Sequence, residues 1–277
     1  MKIIDGKTLA QNLRKKIANE VKQYSRPPGL AVILVGDDEA SQLYVRNKTR
    51  ACVEVGFYSD QIHKSSNITE EELLSEVNRL NENQNIDGIL VQLPLPSHID
   101  SNKIIEAIIP EKDVDGFSSE NVGKLSQNKS FISPCTPKGV MKMLDSIKCD
   151  LRGKDCVIIG ASNIVGRPMA MELLNAGATV QVCHKGTKDI THKTKSADVI
   201  IAAAGVANLV KSDWIKEGVI LIDVGINRQA DGSMTGDVDF EDVKGIASAI
   251  TPVPGGVGPM TIAVLLENTL IAYEAKL

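Results

Sequence analysis

The sequence predicts an α/β protein built of two domains. Apolar runs of strand length alternate with amphipathic segments of helix length along the chain, as in proteins with a mostly parallel sheet. A strand, a glycine turn and a helix follow one another over residues 157–176, and further strands come after them at the spacing of βαβ units. The length of 277 residues favours two domains over one.

Composition and charge exclude several classes of protein. Aromatic residues make up only 3% and the formal net charge is −4, so a basic, base-stacking surface for nucleic acid is not expected. The five cysteines form no C-x-x-C pair and no cluster with histidine at ligand spacing. We therefore expect free thiols, no metal, and a cytoplasmic protein. Neither a leader peptide nor a membrane span is expected, because no apolar run is long enough.

Periodicity and capping signals define the elements in order. Thr69 and Glu72 form the capping box of one helix, and Thr136 before Pro137 has the N-cap and N1 pairing of another. Residues 118–136, rich in Ser, Asn and Pro, are expected to connect the domains. The predicted helices cover 7–23, 40–55, 69–81, 102–109, 137–147, the segment ending near 176, and a terminal helix from 258. The predicted strands cover 30–35, 86–92, 157–159, 179–183, 198–203, 219–224 and, more weakly, 246–250.

The turn between the strand at 157–159 and its helix resembles a dinucleotide cradle. Gly160 allows a sharp turn and Gly166 a close approach of helix to strand, while free N–H groups and the helix N-terminus favour a phosphate. Ser162 stands where the G-x-G-x-x-G fingerprint has its second glycine. The same pattern also fits an ordinary glycine turn in any α/β protein.

The end of the next strand indicates which dinucleotide would bind. NAD-specific folds place an acid there for the ribose 2′-hydroxyl. Here the strand is followed by His184, Lys185 and Thr187, and the first acid is Asp189. Basic and hydroxyl groups suit a 2′-phosphate, so the sequence favours NADP over NAD. The alternative is a solvated basic turn.

Polar residues on the second helix form a first candidate catalytic group. Ser41, Tyr44 and Lys48 fall at i, i+3 and i+7 and share one face. A phenol and an amine one turn apart can bond to each other, which would favour a neutral, basic amine in a desolvated site. The alternative is an exposed face on which both side chains extend toward water.

Three loops carry further candidates. Gln92 ends an apolar strand, where open α/β sheets contact ligands, although it can also satisfy backbone groups of the turn. Asp113 and Asp115 precede a glycine and can anchor donors of a ligand or shape the turn. Residues 251–261 contain three prolines and three glycines and so have little conformational freedom, which makes them a rigid entry to the last helix or a wall against a flat ligand.

Together these stretches resemble the bifunctional methylenetetrahydrofolate dehydrogenase/methenyltetrahydrofolate cyclohydrolase family over nearly the whole chain. The motifs that carry the resemblance are SQLYVRNK at 41–48, QLPLP at 92–96 with PEKDVDG at 110–116, GAS–VGRP at 160–168, and PVPGGVGPMT at 252–261. The resemblance implies a folate-binding catalytic domain of residues 1–120 and 255–277, completed by the C-terminal helix. It also implies a Rossmann-like NADP-binding domain of residues 137–254 with a mostly parallel sheet, an active site in the cleft, and a homodimer paired through the cofactor domains.

The resemblance also implies roles for particular residues. Lys48 would be the catalytic lysine, with Tyr44 and Gln92 as its partners and Asp115 as the anchor of the folate pterin. The folate site would further include Ser41, Leu93, Pro94, Pro254, Gly255, Gly256 and Pro259. The NADP site would include Gly160, Ala161, Ser162, Ile164, Val165, Gly166, His184, Lys185, Thr187, Ala204, Gly205 and Ile226. Some members have arginine in place of Ala161, which leaves Lys185 as the candidate for the cofactor's 2′-phosphate.

The implied chemistry fits these residue types. Hydride transfer needs positioning more than a proton carrier, whereas hydrolysis of the methenyl group needs proton transfer, which a lysine of lowered pKa can supply. A monofunctional dehydrogenase is disfavoured by the presence of Lys48 and Gln92, and a shikimate-type dehydrogenase by the string at 252–261. A non-catalytic nucleotide-binding module is disfavoured by the intact set of Tyr44, Lys48, Gln92 and Asp115.

Overall fold

The computed structural model describes residues 1–277 and confirms the predicted α/β class. The helices are α1 (Gly6–Val21), α2 (Glu39–Val55), α3 (Glu70–Glu82), α4 (Ser101–Ala107), α5 (Ser119–Ser126), α6 (Cys135–Ser146), α7 (Gly166–Asn175), α8 (Ile190–Thr194), α9 (Phe240–Val243) and α10 (Val257–Glu274). The strands are β1 (Lys2–Ile3), β2 (Gly29–Val35), β3 (Tyr58–Lys64), β4 (Gly88–Val91), β5 (Asp155–Ile159), β6 (Thr179–Cys183), β7 (Val199–Ala202), β8 (Ile220–Asp223), β9 (Asn227–Arg228), β10 (Met234–Thr235) and β11 (Ala249–Ile250). None of the helices is both long and apolar enough to cross a bilayer.

The chain forms two compact units, and each unit is assembled from two separate segments. Unit 1 consists of Met1–Ala10 and Thr136–Thr261, and unit 2 consists of Gln11–Cys135 and Ile262–Leu277. These limits differ from the predicted domains at the N-terminus, because β1 pairs in parallel with β11 and so joins unit 1. They also differ after residue 120, where part of the predicted connection is the helix α5 of unit 2.

Unit 1 contains a six-stranded parallel sheet in the order β1-β11-β8-β7-β5-β6. The strands at its centre are buried on both faces, with Ile158, Ile200 and Leu221 fully inaccessible. Burial on both faces explains why these strands are continuous apolar runs in the sequence. Because all strands are parallel, the loops after β5, β6, β7 and β8 emerge at the same edge of the sheet.

Unit 2 contains a three-stranded parallel sheet in the order β3-β2-β4. Ala31 and Ile33 of β2 pack into one apolar cluster with Leu73 and Leu80 of α3 and Ile104 of α4. β3 was not predicted, and its alternation of exposed and half-buried positions shows the reason. It is an edge strand of mostly polar residues, so hydrophobicity gives no signal for it.

Local capping signals predicted some helix ends and failed at another. The capping box of Thr69 and Glu72 is present at the start of α3. The prediction of Thr136 as an N-cap is wrong, because α6 begins one residue earlier, at Cys135. The Thr136 hydroxyl instead forms a hydrogen bond of 2.9 Å with the hydroxyl of Thr261.

Candidate functional site

The first group of candidate residues lies on α2 of unit 2. The Asp38 carboxylate accepts a hydrogen bond of 2.8 Å from the Ser41 backbone N–H and caps the start of the helix. Tyr44 and Lys48 follow at the next two turns of the same face, as the spacing predicts. Both side chains are half-buried. One rigid helix therefore presents a phenol and an amine side by side.

The partner of the Lys48 amine is Gln92, which follows β4. Lys48 Nζ donates to Gln92 Oε1 over 2.9 Å. The amide NH₂ of Gln92 donates to the carbonyl oxygen of Leu93 over 2.7 Å, which turns the amide oxygen toward the lysine. The orientation of Gln92 is thus set by its own turn, which confirms that this residue satisfies a backbone group there; its contact with a ligand stays a prediction.

The predicted hydrogen bond between Tyr44 and Lys48 is not formed in the structure. Lys48 donates to Gln92 instead, and the Tyr44 hydroxyl has no hydrogen-bond partner. Burial raises the pKa of the Tyr44 phenol above its usual range. The phenol is therefore protonated at neutral pH and available to donate to a ligand.

Burial also determines the charge of the lysine. Removal from water lowers the pKa of the Lys48 amine, and the negative charge of Asp115 opposes that shift. A lysine with a lowered pKa supplies a neutral amine at a pH closer to neutrality than an exposed lysine does. The amine can then take up a proton and release it again.

The two acids of the loop after α4 have different environments. The Asp113 carboxylate accepts hydrogen bonds from the backbone N–H groups of Gly116, Phe117 and Ser118 and from the side chain of Asn121, at 2.8 to 3.2 Å. Burial raises the pKa of the Asp115 carboxyl, and the charge of Lys48 opposes that rise. Asp113 therefore shapes the loop, and Asp115 is the acid left to bind a ligand.

A buried amide holds the chain just before Asp115. Asn268 of α10 is fully buried, and its Nδ2 donates to the carbonyl oxygens of Val114 and Ser133, each over 2.9 Å. Gly116 adopts φ 73°, and a Cβ there would lie 2.8 Å from the Pro134 nitrogen. Sequence analysis missed Asn268, because an amide within an apolar helix shows no sign of the loop it contacts.

The glycine turn in unit 1 is closely packed. Gly160 adopts φ 127°, and a Cβ there would overlap the carbonyl oxygen of Ala203. A Cβ on Gly166 would overlap the carbonyl oxygen of Gly160. The Ser162 hydroxyl accepts hydrogen bonds from the N–H groups of Val165 and Gly166, over 3.2 and 3.4 Å, at the start of α7. Ala161 and Ile164 complete this turn, and Ile164 is exposed.

The turn after β6 is built from its own residues. The Thr187 hydroxyl accepts from the His184 N–H over 2.9 Å, and His184 Nδ1 accepts from the Gly186 N–H over 3.1 Å. Lys185 is exposed at the tip of the turn. Asp189, the first acid, accepts from the His192 N–H at the start of α8. No carboxylate of this turn is therefore directed toward a ribose.

The loops after β7 and β8 carry Ala204, Gly205 and Ile226, and all three belong to unit 1. Ile226 is 43% exposed. The loop at 204–206 is held by Asp237, a buried acid that sequence analysis missed. A signal was present in the sequence: Asp223 and Asp237 each stand close to a glycine, in DVG at 223–225 and in GDV at 236–238.

The proline- and glycine-rich loop belongs to unit 1, together with the start of α10 up to Thr261. The rest of α10 belongs to unit 2. The carbonyl oxygen of Gly255 accepts from the Lys7 N–H over 2.9 Å, and a Cβ on Gly6 would overlap the carbonyl oxygen of Gly256. The loop therefore packs backbone to backbone against the start of α1. Pro254 and Pro259 flank these glycines and belong to the same unit.

Comparisons with known proteins find relatives that match this chain over its full length. The family descriptions that match are "Tetrahydrofolate dehydrogenase/cyclohydrolase, catalytic domain" over residues 4–115 and "Tetrahydrofolate dehydrogenase/cyclohydrolase, NAD(P)-binding domain" over residues 134–277. The bifunctional protein FolD of Ruthia magnifica subsp. Calyptogena magnifica is 63% identical over 277 residues, which is 100% of both chains.

Two solved structures extend the comparison. The bifunctional enzyme FolD of Campylobacter jejuni superposes with a TM-score of 0.98 at 55% identity, covering 100% of both chains. The Trypanosoma brucei methylenetetrahydrofolate dehydrogenase-cyclohydrolase, a complex with NADP cofactor and inhibitor, superposes with a TM-score of 0.94 at 39% identity, covering 99% of this chain and 97% of the other.

Proposed function

The chain belongs to the tetrahydrofolate dehydrogenase/cyclohydrolase family, and from that premise we propose how its residues share two reactions. The enzyme oxidises 5,10-methylenetetrahydrofolate to 5,10-methenyltetrahydrofolate with NADP, and it hydrolyses the product to 10-formyltetrahydrofolate. The proton chemistry belongs to the Lys48 group of unit 2. The cofactor belongs to the loops at the carboxyl edge of the sheet in unit 1.

The residues of unit 1 fit NADP. Gly160 and Gly166 leave no room for side chains, so the backbone of the turn can approach phosphate oxygens at the start of α7. Lys185 supplies positive charge, and Asp189 is engaged at a helix N-terminus. When bound, NADP accepts the hydride from the one-carbon bridge. The protein's part in this step is to position the two reactants, because no proton has to move.

Hydrolysis depends on the Lys48 amine, and the observation that supports this role best is its hydrogen bond to Gln92. Water adds to the methenyl carbon and loses a proton, a ring nitrogen gains a proton as its bond to that carbon breaks, and the hydroxyl of the adduct releases its remaining proton to solvent as it becomes the formyl oxygen. The neutral Lys48 amine takes the proton from water and passes it to the nitrogen. Gln92 holds Nζ in place, and the Tyr44 phenol donates to the substrate.

Asp115 anchors the pterin of the folate. Its carboxylate is left available because Asp113 accepts the donors of the loop. A carboxylate with two acceptor oxygens matches adjacent N–H donors of a flat heterocycle. Ser41, Leu93 and Pro94 lie near Tyr44 and Gln92 in the sequence and complete the proposed substrate contacts in unit 2.

A spectrophotometric assay tests this assignment. Wild-type enzyme, methylenetetrahydrofolate and NADP are mixed, and NADPH and methenyltetrahydrofolate are followed at their separate absorption bands. We expect NADPH to accumulate well ahead of the methenyl compound, because the latter is hydrolysed. Equal accumulation would indicate the monofunctional alternative. Absence of turnover would leave only the non-catalytic nucleotide-binding module.

We also propose that the protein is a cytoplasmic homodimer paired through unit 1. Its five cysteines are free thiols, as suits a reducing compartment. β6 is the edge strand of the large sheet, with Val182 37% exposed, and Leu174 on the adjacent α7 is 54% exposed. Sedimentation should give a dimer that Val182→Lys weakens, whereas Val53→Lys, at a position 70% exposed on unit 2, should not change it. A monomeric wild type would contradict the proposal.

A further inference from the structure

A single carboxylate organises the loop that follows β7. Asp237 Oδ2 accepts from the N–H groups of Ala204 and Gly205, over 2.6 and 2.9 Å, and its Oδ1 accepts from the Val206 N–H over 2.9 Å. Oδ1 also accepts from Asn227 Nδ2 over 2.9 Å. Asp237 is fully buried. One side chain thus ties the loop after β7 to the loop after β8 by four hydrogen bonds.

A second acid fixes the chain that carries Asp237. Asp223, the last residue of β8, accepts from the N–H groups of Asp237 and Val238, each over 2.9 Å. Glycines make room for both acids, because a Cβ on Gly225 would overlap the Asp237 carboxylate and one on Gly236 would overlap the Asp223 carboxylate. Asp237 therefore has little freedom to move, and a longer side chain would not fit.

The loop held by Asp237 borders the glycine turn. A Cβ on Gly160 would lie 3.4 Å from the Ala204 nitrogen, so the two loops are in contact. Within the sheet, β5 stands between β6 on one side and β7 and β8 on the other. If the pyrophosphate lies at the turn after β5 and the adenosine phosphate at the turn after β6, the nicotinamide half extends over β7 and β8.

We propose that Asp237 is a positioning residue for the nicotinamide half of NADP, acting through the backbone of residues 204–206 and through Asn227. The inference rests on the cofactor assignment proposed above. Because Asp237 takes up the three N–H groups, the loop is left with carbonyl oxygens and with the exposed side chains of Val206 and Ile226. Such a surface suits a flat ring that carries an amide, and it disfavours a phosphate, which needs N–H donors.

Asp237→Asn tests the proposal, because the amide replaces one acceptor oxygen by an NH₂ group facing N–H donors. The dehydrogenase kcat/KM should fall at least tenfold, with a higher KM for NADP, because small misplacements of a reactant are costly. The dissociation constant of 2′,5′-ADP, which carries only the adenosine half, should change less than about twofold. Asp239→Asn is the matched control, since it removes the same charge two residues away, at the N-cap of α9.

The outcomes separate this inference from the proposed function. No dehydrogenase turnover by the wild type refutes the proposed function, whatever the variant does. An unchanged dehydrogenase kcat/KM in Asp237→Asn, or an equal loss of 2′,5′-ADP binding, overturns the role of Asp237. Circular dichroism and thermal unfolding report whether the variant is folded. If it is not, Asn227→Ala decides, because it removes only one of the four bonds: a raised KM for NADP with unchanged 2′,5′-ADP binding supports the role, and wild-type kinetics overturn it.

Discussion

Asp113 and Asp115 lie two residues apart on one loop, yet the Asp113 carboxylate accepts four hydrogen bonds from nearby N–H groups whereas the Asp115 carboxyl accepts one from the Cys135 thiol. Four N–H groups converge on Asp113, three from the backbone just after it and one from Asn121. The side chain of Asp115 faces the positive charge of Lys48 instead. Asp113 thus stabilises the conformation of the loop, and Asp115 is the acid that we propose to bind the ligand.

Asp115→Ala should weaken folate binding at least tenfold, because a charge-assisted hydrogen bond to the pterin is lost. NADP binding should be retained, and titration calorimetry with each ligand measures both. Asp113→Asn is the informative contrast, since its effect should be on thermal stability through the four hydrogen bonds. Loss of NADP affinity in Asp115→Ala would contradict the division of roles.

Lys48→Met should reduce cyclohydrolase kcat by 10²-fold or more, the usual cost of removing an acid/base group. Dehydrogenase activity should remain measurable, because hydride transfer needs no proton carrier. Hydrolysis is followed by the decay of the methenyl absorption after the uncatalysed rate is subtracted. Lys16→Met, which removes a lysine 71% exposed on α1, is the control. Near-normal hydrolysis by Lys48→Met would refute the role of the amine.

The pKa of Lys48 gives a prediction with a definite sign. Burial lowers it from the ordinary value of 10.5, so the folded chain releases this proton at a lower pH than the unfolded chain. The free energy of unfolding therefore rises with pH between the folded pKa and 10.5, and Lys48→Met should remove that contribution. Competitive acetylation read by mass spectrometry reports the titration of Lys48. In Asp115→Asn the midpoint should move lower still, because the opposing negative charge is gone; a higher midpoint would contradict the model of the site.

Stability should depend on a buried lysine outside the catalytic group. Lys112 is 3% exposed, and its Nζ donates to the carbonyl oxygens of Leu80, Asn81 and Asn83 at the end of α3, at 2.6 to 2.9 Å. These carbonyls have few partners within the helix. Lys112→Met should cost about 2–4 kcal/mol and lower the Tm by ~5–10 °C. Lys103→Met, which removes an exposed pair with Glu70, should cost under about 1 kcal/mol.

The sequence predicted features that depend on neighbouring residues. The capping box of Thr69 and Glu72 and the end of the second helix at residue 55, which Gly56 follows with φ 82°, are local and were found in place. The glycine turn was located because strand, turn and helix follow each other directly. β3 was not predicted, because an exposed edge strand does not need alternating apolar and polar residues.

The features that local sequence patterns did not predict depend on contacts between residues far apart in the chain. Helix spacing pointed to Tyr44, one turn away, as the partner of Lys48, whereas the hydrogen bond is made to Gln92, 44 positions away, a pairing that only the family resemblance implied. Asp237 holds the loop at 204–206 from about thirty residues further along, so no spacing rule links them. The residue types showed that an amine and acids were present in the sequence. Which groups they contact is determined by tertiary packing.

Cofactor preference should depend on Lys185, the exposed cation in the turn after β6. Lys185→Gln should lower the ratio of kcat/KM for NADP to that for NAD by about fivefold to tenfold, because an ammonium next to a 2′-phosphate forms a charge-assisted hydrogen bond. The effect should weaken at high ionic strength, since exposed charges are screened by salt. Lys188→Gln removes an equally exposed lysine from the same turn and should leave the ratio near the wild-type value. Steady-state kinetics with both cofactors at two salt concentrations measure these ratios. A wild-type preference for NAD would refute the inference that this turn selects NADP, and equal effects of the two substitutions would assign the discrimination to His184 and Thr187 or to another part of the cofactor site.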